Sequence, residues 1–268
     1  MAISENTTKI IRPPAVAGFF YPADTNELRL MVGQLMGHTQ SQTVVPKAII
    51  APHAGYIYSG PTAAVANSSL QPLCTKINRV ILLGPAHRVY LRGLALSSAT
   101  HFASPLGEIE VDQSAIKQIK DLSQVSVSDI AHQQEHSLEV HLPFLQYLLD
   151  KFLLVPLVVG DTSPQEVAEV LDILWGGEET AIVISSDLSH YHDYDSARQI
   201  DAATTRAIEN LQLEKIGPNQ ACGCMPIRGL LQVARNKKLS VHTLDLRNSG
   251  DTAGSHDRVV GYGAYTVS

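Results

Sequence analysis

The chain has 268 residues, 44% of them hydrophobic and 17% charged, which is enough to bury a sizeable core and too apolar for a disordered tail. A formal charge of -6 supplies no basic face for phosphate backbones or anionic lipid, so neither nucleic acid nor a membrane surface is an expected partner. Three cysteines, Cys74, Cys222 and Cys224, are too few and too unevenly placed for a disulfide framework and predict a reducing, cytoplasmic setting.

Residues 1–14 (MAISENTTKIIRPP) are polar and end in two prolines that force an extended path, so they read as a surface arm. Asp24 or Thr25 then caps a predicted helix whose apolar positions Leu28, Met31, Val32 and Leu35 recur at helical spacing, with a stop near Gly37. Val44 to Ala51 reads as a short buried strand, PHAGY as a loop, and Pro61 to Ser69 as an alanine-rich helix. The buried-strand signature recurs at Arg79 to Gly84, Leu153 to Val159 and Thr180 to Ser185. The second of these leads into the capped helix SPQEVAEVLDILW and the third into the amphipathic run YDSARQIDAATTRAIENL. Continuous apolar strands alternating with helices predict an α/β fold, with a largely parallel or mixed sheet flanked by helices on both faces. LSVHTLDLRNS and RVVGYGAYTV alternate more and are expected to pair antiparallel with each other or with an edge. No fixed period and no dividing linker emerges, so residues 1–268 read as a single domain. No run is apolar enough to span a bilayer, and no export signal is apparent at the start.

Eleven histidines exceed ordinary usage, and their placement is informative. In an open α/β sheet, ligands bind beyond the carboxyl ends of the strands. His53 follows the first buried strand, His87 the second, and Asp187 with His190 follows TAIVIS, so three strand ends deliver imidazole or carboxylate to one edge. One histidine after a strand is most often an ordinary turn residue, but three such events together favour a shared site. Neutral imidazole is a metal ligand, and two imidazoles need a further donor. Asp187, Glu135, Glu139 and Cys222 are the candidates. Cys222 lies in ACGCMPIRGLLQVA, just before a predicted helix whose dipole favours a thiolate, although a free cysteine is as often a small buried hydrophobe. In EHSLEVHLPFLQYLLD, Leu138, Leu142, Leu145 and Leu149 form a buried stripe, with Pro143 in the first turn or at a kink. Glu135, His136, Glu139 and His141 there either face solvent and cap the helix or orient the ligating imidazoles. Their spacing is not that of H-E-x-x-H, and no serine elbow, phosphate loop or dinucleotide fingerprint occurs.

PHAGYIYSG around His53, LGPAHRVY around His87, EHSLEVHLPF, SSDLSHY around Asp187 and His190, and Cys222 with the PI of its helix start occur in this order. Together they resemble the Memo family, whose bacterial and archaeal members include protein B of the AmmeMemoRadiSam gene group. The resemblance runs from AVAGFFYP to GYGAYTV, nearly the whole chain. It implies the fold of class III extradiol ring-cleavage dioxygenases, in which two histidines and a glutamate hold Fe(II) and another histidine is the acid/base. Carried over, His53 and His87 match the ligating histidines, His190 the acid/base, which Asp187 is expected to orient, and Cys222 stands where those enzymes have glutamate. Thiolate in place of carboxylate makes Cu or Zn competitors to Fe(II). Met225 stands where family members often carry a histidine, and a blue-copper arrangement with Met225 is the minor alternative.

The resemblance implies a non-haem metal-dependent oxidoreductase or dioxygenase-like enzyme acting on a small-molecule substrate, with pathway partners encoded in the AmmeMemoRadiSam gene group. The alternatives are a non-catalytic binding module for phosphotyrosine, phenolic or anionic ligands, and metal-assisted hydrolysis.

Overall fold

Four runs of aliphatic residues make the centre of the molecule, whose computed structural model describes residues 8–39 and 45–268. β2 (Ala48–Ala51), β9 (Thr180–Ser185), β3 (Arg79–Pro85) and β8 (Leu153–Val159) lie side by side in that order, all parallel. Nearly every residue in them is buried, as a strand covered on both faces requires. Antiparallel neighbours extend the sheet on both sides. Beyond β8 lie β4 (Leu94–Leu96) and β7 (Val125–Val127); beyond β2 lies β12 (Val259–Val267), which also pairs with β10 (His190–His192) and β11 (Val241–Asn248). A smaller sheet joins β1 (Ile11–Arg12), β5 (His101–Ser104) and β6 (Gly107–Glu110).

Helices flank the large sheet. α8 (Cys224–Lys237) packs on β3 and β9 and is covered by α6 (Pro164–Ile173), which starts in a complete Ser163/Glu166 capping box. The two cross so closely that a methyl group on Gly229 would meet Val167 Cγ1 at 2.3 Å. α2 (Tyr56–Ser68) packs on β2, β11 and β12 and carries α1 (Thr25–Gly37) and α5 (Leu142–Leu148) outside it. α7 (Tyr194–Glu209) lies against β11 and β12, and the short helices α3 (Gln113–Ile119) and α4 (Asp129–Gln133) complete the layer. No helix among the described residues is long and apolar enough to cross a membrane.

The α/β architecture, the parallel centre and the antiparallel pairing of the last two long strands follow the sequence pattern. Three expectations need correction. α2 begins at Tyr56, five residues before the proline expected to start it; Pro61 lies inside, where its missing N–H leaves the carbonyl of exposed Ile57 to solvent. The stretch at residues 8–14 is not wholly a surface arm. Ile11–Arg12 forms β1 against β5, and Arg12 is buried. Glu139, one of the carboxylates read as solvent-facing or orienting, is the reason. It is ion-paired with Arg12 and accepts from the Ala15 and Val16 backbone N–H groups at 2.7 and 2.9 Å and the Tyr21 hydroxyl at 2.6 Å. A buried carboxylate survives only with such partners, so it fastens the N-terminal segment to the fold. Residues 1–7 of the arm and Val44 of the first predicted strand lie outside the described residues.

Candidate metal centre

β2, β9 and β3 are adjacent and parallel, so their carboxyl ends share one rim, and two residues past each end stand His53, Asp187 and His87. Pleated neighbours lie under about 5 Å apart, which is why residues distant in sequence meet there. The His53 and His87 rings face each other edge-on with centroids 5.1 Å apart.

Each of these imidazoles is held from behind through Nδ1. His53 Nδ1 is 2.6 Å from Ser185 Oγ. The single Ser185 hydroxyl proton is donated to the Ser137 carbonyl at 2.5 Å, so Oγ can only accept from His53, which places the imidazole proton on Nδ1 and leaves Nε2 with a bare lone pair. His87 Nδ1 lies 2.9 Å from Glu135 Oε1, and a carboxylate only accepts, so His87 donates its Nδ1 proton there. Glu135 also accepts from the backbone N–H groups of His87 at 2.6 Å and of His136 and Ser137 at 2.9 Å. Burial alone would raise this carboxyl, but the His87 ring and these backbone donors pull it down to about 2, so it is ionised. Burial holds His53 well below the ordinary histidine range, and the neighbouring imidazoles push in the same direction, so it is neutral at pH 7.

Cys222 reaches the same place from another element. Its Sγ lies 3.3 Å from His53 Nε2 and accepts from the Asp187 backbone N–H at 3.3 Å. Gly223 makes the approach feasible, because a methyl group there would lie 2.5 Å from the Ser185 carbonyl oxygen and 2.6 Å from Ser186 Cβ. The helix-dipole expectation for the thiol is reversed: burial, with the Asp187 charge adding to it, pushes the thiol well above its ordinary range. Asp187 turns toward His53. Its Oδ1 accepts the His53 backbone N–H at 2.7 Å and its Oδ2 lies 4.0 Å from His53 Nε2, while among the described residues no hydrogen bond joins it to the His190 ring. Burial raises this carboxyl to about 6 against the backbone hydrogen bond from His53. His190 opens β10, half-buried, and stands near enough to act electrostatically on both His53 and Asp187. A bulge in the β10–β12 pairing falls between His190 and His192, with Tyr191 in the left-handed region at φ 62°. A cleft of about 300 Å³ between the β3 and β8 ends and the start of α8 opens beside Cys222, with Tyr90, Asp161 and Met225 among its walls.

Reading the strand ends for imidazole and carboxylate alone misses Ser185, which closes the TAIVIS strand and holds His53, and Ser137, whose carbonyl orients that serine. A broader criterion, any polar residue at a buried strand's carboxyl end, selects Ser185. His136 is a further arrival: one ring nitrogen of each of His53, His87 and His136 lies within 4.8 Å of the other two. His141 is wholly buried nearby with neither ring nitrogen hydrogen-bonded, and burial drops it to about 3.

The family model described as Memo-like protein matches residues 12–266. The chain belongs to the Memo family. A MEMO1 family protein of Aquifex aeolicus is 36% identical over 266 residues, which cover 94% of this chain and 97% of the relative. A MEMO1 family protein of Archaeoglobus fulgidus is 34% identical over 265 residues with the same coverage. Among solved structures, an uncharacterized protein of Escherichia coli K12 is 14% identical with a TM-score of 0.47, covering 80% of this chain and 98% of that one. In this Memo-family chain a histidine group that could hold a metal ion, with His53 buried and His87 open to solvent, sits at the edge that the strand order marks for ligands.

Proposed function

We propose that this Memo-family chain is a non-haem metal-dependent oxidoreductase of the dioxygenase-like type, with His53, His87 and Cys222 holding the ion and His190 moving the proton. The observation that carries this reading is the paired anchoring: His53 and His87 both spend Nδ1 on fixed protein acceptors, which leaves Nε2 as the nitrogen each ring could offer an ion. One sulfur–nitrogen pair has the spacing that two ligands of one ion keep, whereas the group whose donor atoms all stand within 4.8 Å of one another is His53, His87 and His136. Zinc-type bond lengths of about 2.0 Å to nitrogen and 2.3 Å to sulfur put adjacent nitrogen and sulfur donors about 3.1 to 3.6 Å apart, and Cys222 Sγ stands 3.3 Å from His53 Nε2.

Fe(II), with Cu or Zn as competitors for a site containing sulfur, would supply Lewis acidity and, for Fe or Cu, a one-electron couple toward dioxygen. The chain's own residues do the rest. Ser185 and Glu135 hold the two imidazoles in ligating orientation, and ionised Glu135 makes His87 a stronger donor. In this reading His190, half-buried where β10 begins, takes the proton from a phenolic hydroxyl of the substrate. Asp187 fixes the His53 backbone and supplies negative charge at the centre.

Anaerobically iron-loaded protein is tested for dioxygen uptake over a panel of catechols and other phenols. Uptake that requires His190, with His190→Ala retaining its iron, supports the enzyme. Retained iron with no uptake on any phenol assigns the cleft to ligand binding without turnover.

A further inference from the structure

One buried carboxyl stands behind β10, away from the ligating rings. Among the buried residues of α7, Asp201 alone is ionisable; the others are alanine, threonine and isoleucine. It is 2% exposed, and among the described residues no cation pairs with it. Its Oδ1 accepts the Ser189 backbone N–H at 2.9 Å. Burial raises the carboxyl to about 6. An aspartate is almost never buried this deeply without a cation, because a carboxyl taken out of water costs free energy that an apolar side chain at the same position avoids. What the position gains in return is the acceptor for Ser189.

Ser189 immediately precedes His190. The backbone around it bonds β12 on the other side: Leu188 N–H donates to the Gly261 carbonyl at 2.8 Å, and Gly261 N–H donates to the Ser189 carbonyl at 2.8 Å. The Ser189 N–H is left to α7, where Asp201 takes it. Just beyond, β10 is three residues long and carries the bulge between His190 and His192, so it has little ladder of its own to fix a side chain. Among the described residues no hydrogen bond reaches the His190 ring, whose edge-on aromatic neighbour at 5.8 Å is Tyr191, next to it in the chain. The ring is therefore aimed by the backbone that carries it. Gly261 lets the carboxyl sit close, because a methyl group there would lie 2.5 Å from Asp201 Cγ and closer still to Oδ2.

We infer that Asp201 is the positioning residue for His190: seated on the bare backbone of Gly261, it fixes Ser189 and, through it, the bulge that presents the imidazole. This rests on the reading above that His190 moves the proton, and adds what holds that group in place. Asp201 bonds none of His53, His87 or Cys222, so iron retention is expected not to depend on it.

The test uses the full chain, iron-loaded for dioxygen uptake on the phenol panel and metal-free for the proton–carbon NMR signals of the histidine rings, with His190→Ala identifying those of His190. Asp201→Ala should shift the His190 signals and lower uptake by about 10- to 100-fold at unchanged iron content, the scale of loss when a reacting group is misplaced. Asp201→Asn, which keeps an acceptor of the same shape, should return both toward wild type. Asp201→Ala added to His190→Ala should cost nothing more, since the two act as one unit. Gly261→Ala, which displaces the carboxyl from the β12 side, should shift the same ring signals and serves if Asp201→Ala does not fold. Unmoved His190 signals in the folded variants, additive losses in the double variant, or Asp201→Asn as impaired as Asp201→Ala would overturn the role of Asp201 and leave that of His190 standing. No uptake by the wild type on any phenol would overturn the oxidoreductase reading, and the ring signals would then decide the placement of His190 by themselves.

Discussion

Glu135 shows how one side chain commits a site. Its two oxygens take four donors from three consecutive or facing residues, so the His87 ring and the loop carrying His136 are positioned by the same group. Glu135→Gln keeps the shape but removes the charge and turns one acceptor into a donor facing His87 or the backbone. Metal affinity is expected to fall by about 10- to 100-fold, the usual loss when the group behind a ligating histidine is changed. Titration with Zn(II) against a chromophoric chelator measures it; affinity equal to wild type would contradict this role. At this scale the sequence was legible where a residue follows a strand, as for His53, His87 and Asp187. It was not legible where a residue arrives on a connecting segment, as for His136 and Ser137. Nothing in the run EHSLEVH tells which of its polar groups turn inward; Glu139, from the same run, serves the N-terminal segment instead.

Among the elements, the central strands were readable because burial on both faces leaves an uninterrupted aliphatic run, and Leu153–Val159 and Thr180–Ser185 have the bounds the pattern predicts. The strands from Leu94 to Val127 escaped notice because they are three or four residues long, too short to establish a period. Tertiary packing overrode local signals in α2, which runs through Pro61. The start of α8 makes a sharper point. Gly223 lets the chain pass against β9's end and set Cys222 beside His53. Gly223→Ala would put Cβ within 2.6 Å of both the Ser185 carbonyl oxygen and Ser186 Cβ, so the turn must move and carry the sulfur with it. We expect a folded protein whose metal affinity drops by about tenfold or more, the scale of loss when a ligand's support is disturbed, read in the same titration. A variant that binds as tightly as wild type would show that the sulfur's position is unimportant.

Over the whole molecule, the concentration of buried ionisable groups ties stability to pH. Burial lowers His53, lowers His132 and His136 to about 4 and His141 to about 3, so the folded chain refuses protons that the unfolded chain takes up near pH 6.5. Their contribution is present above that pH and is lost as pH falls toward the folded values. Burial raises Asp187 and Asp201 to about 6, which acts oppositely, since the folded chain binds those protons first. Four histidines against two carboxylates leave about two protons of net uptake on unfolding between pH 6 and 5. Metal-free protein is therefore expected to show a urea midpoint that falls from pH 7 to pH 5, and a flat or rising midpoint would contradict the burial of neutral imidazoles.

The central claim is that the strand ends build one metal centre. Anomalous scattering from crystals of metal-loaded protein, collected on both sides of the metal's absorption edge, tests it most directly. A single strong peak is expected, enclosed by His53, His87 and Cys222 and at bonding distance from both Nε2 atoms. A peak elsewhere, or none at this rim while the rings keep their arrangement, would contradict it.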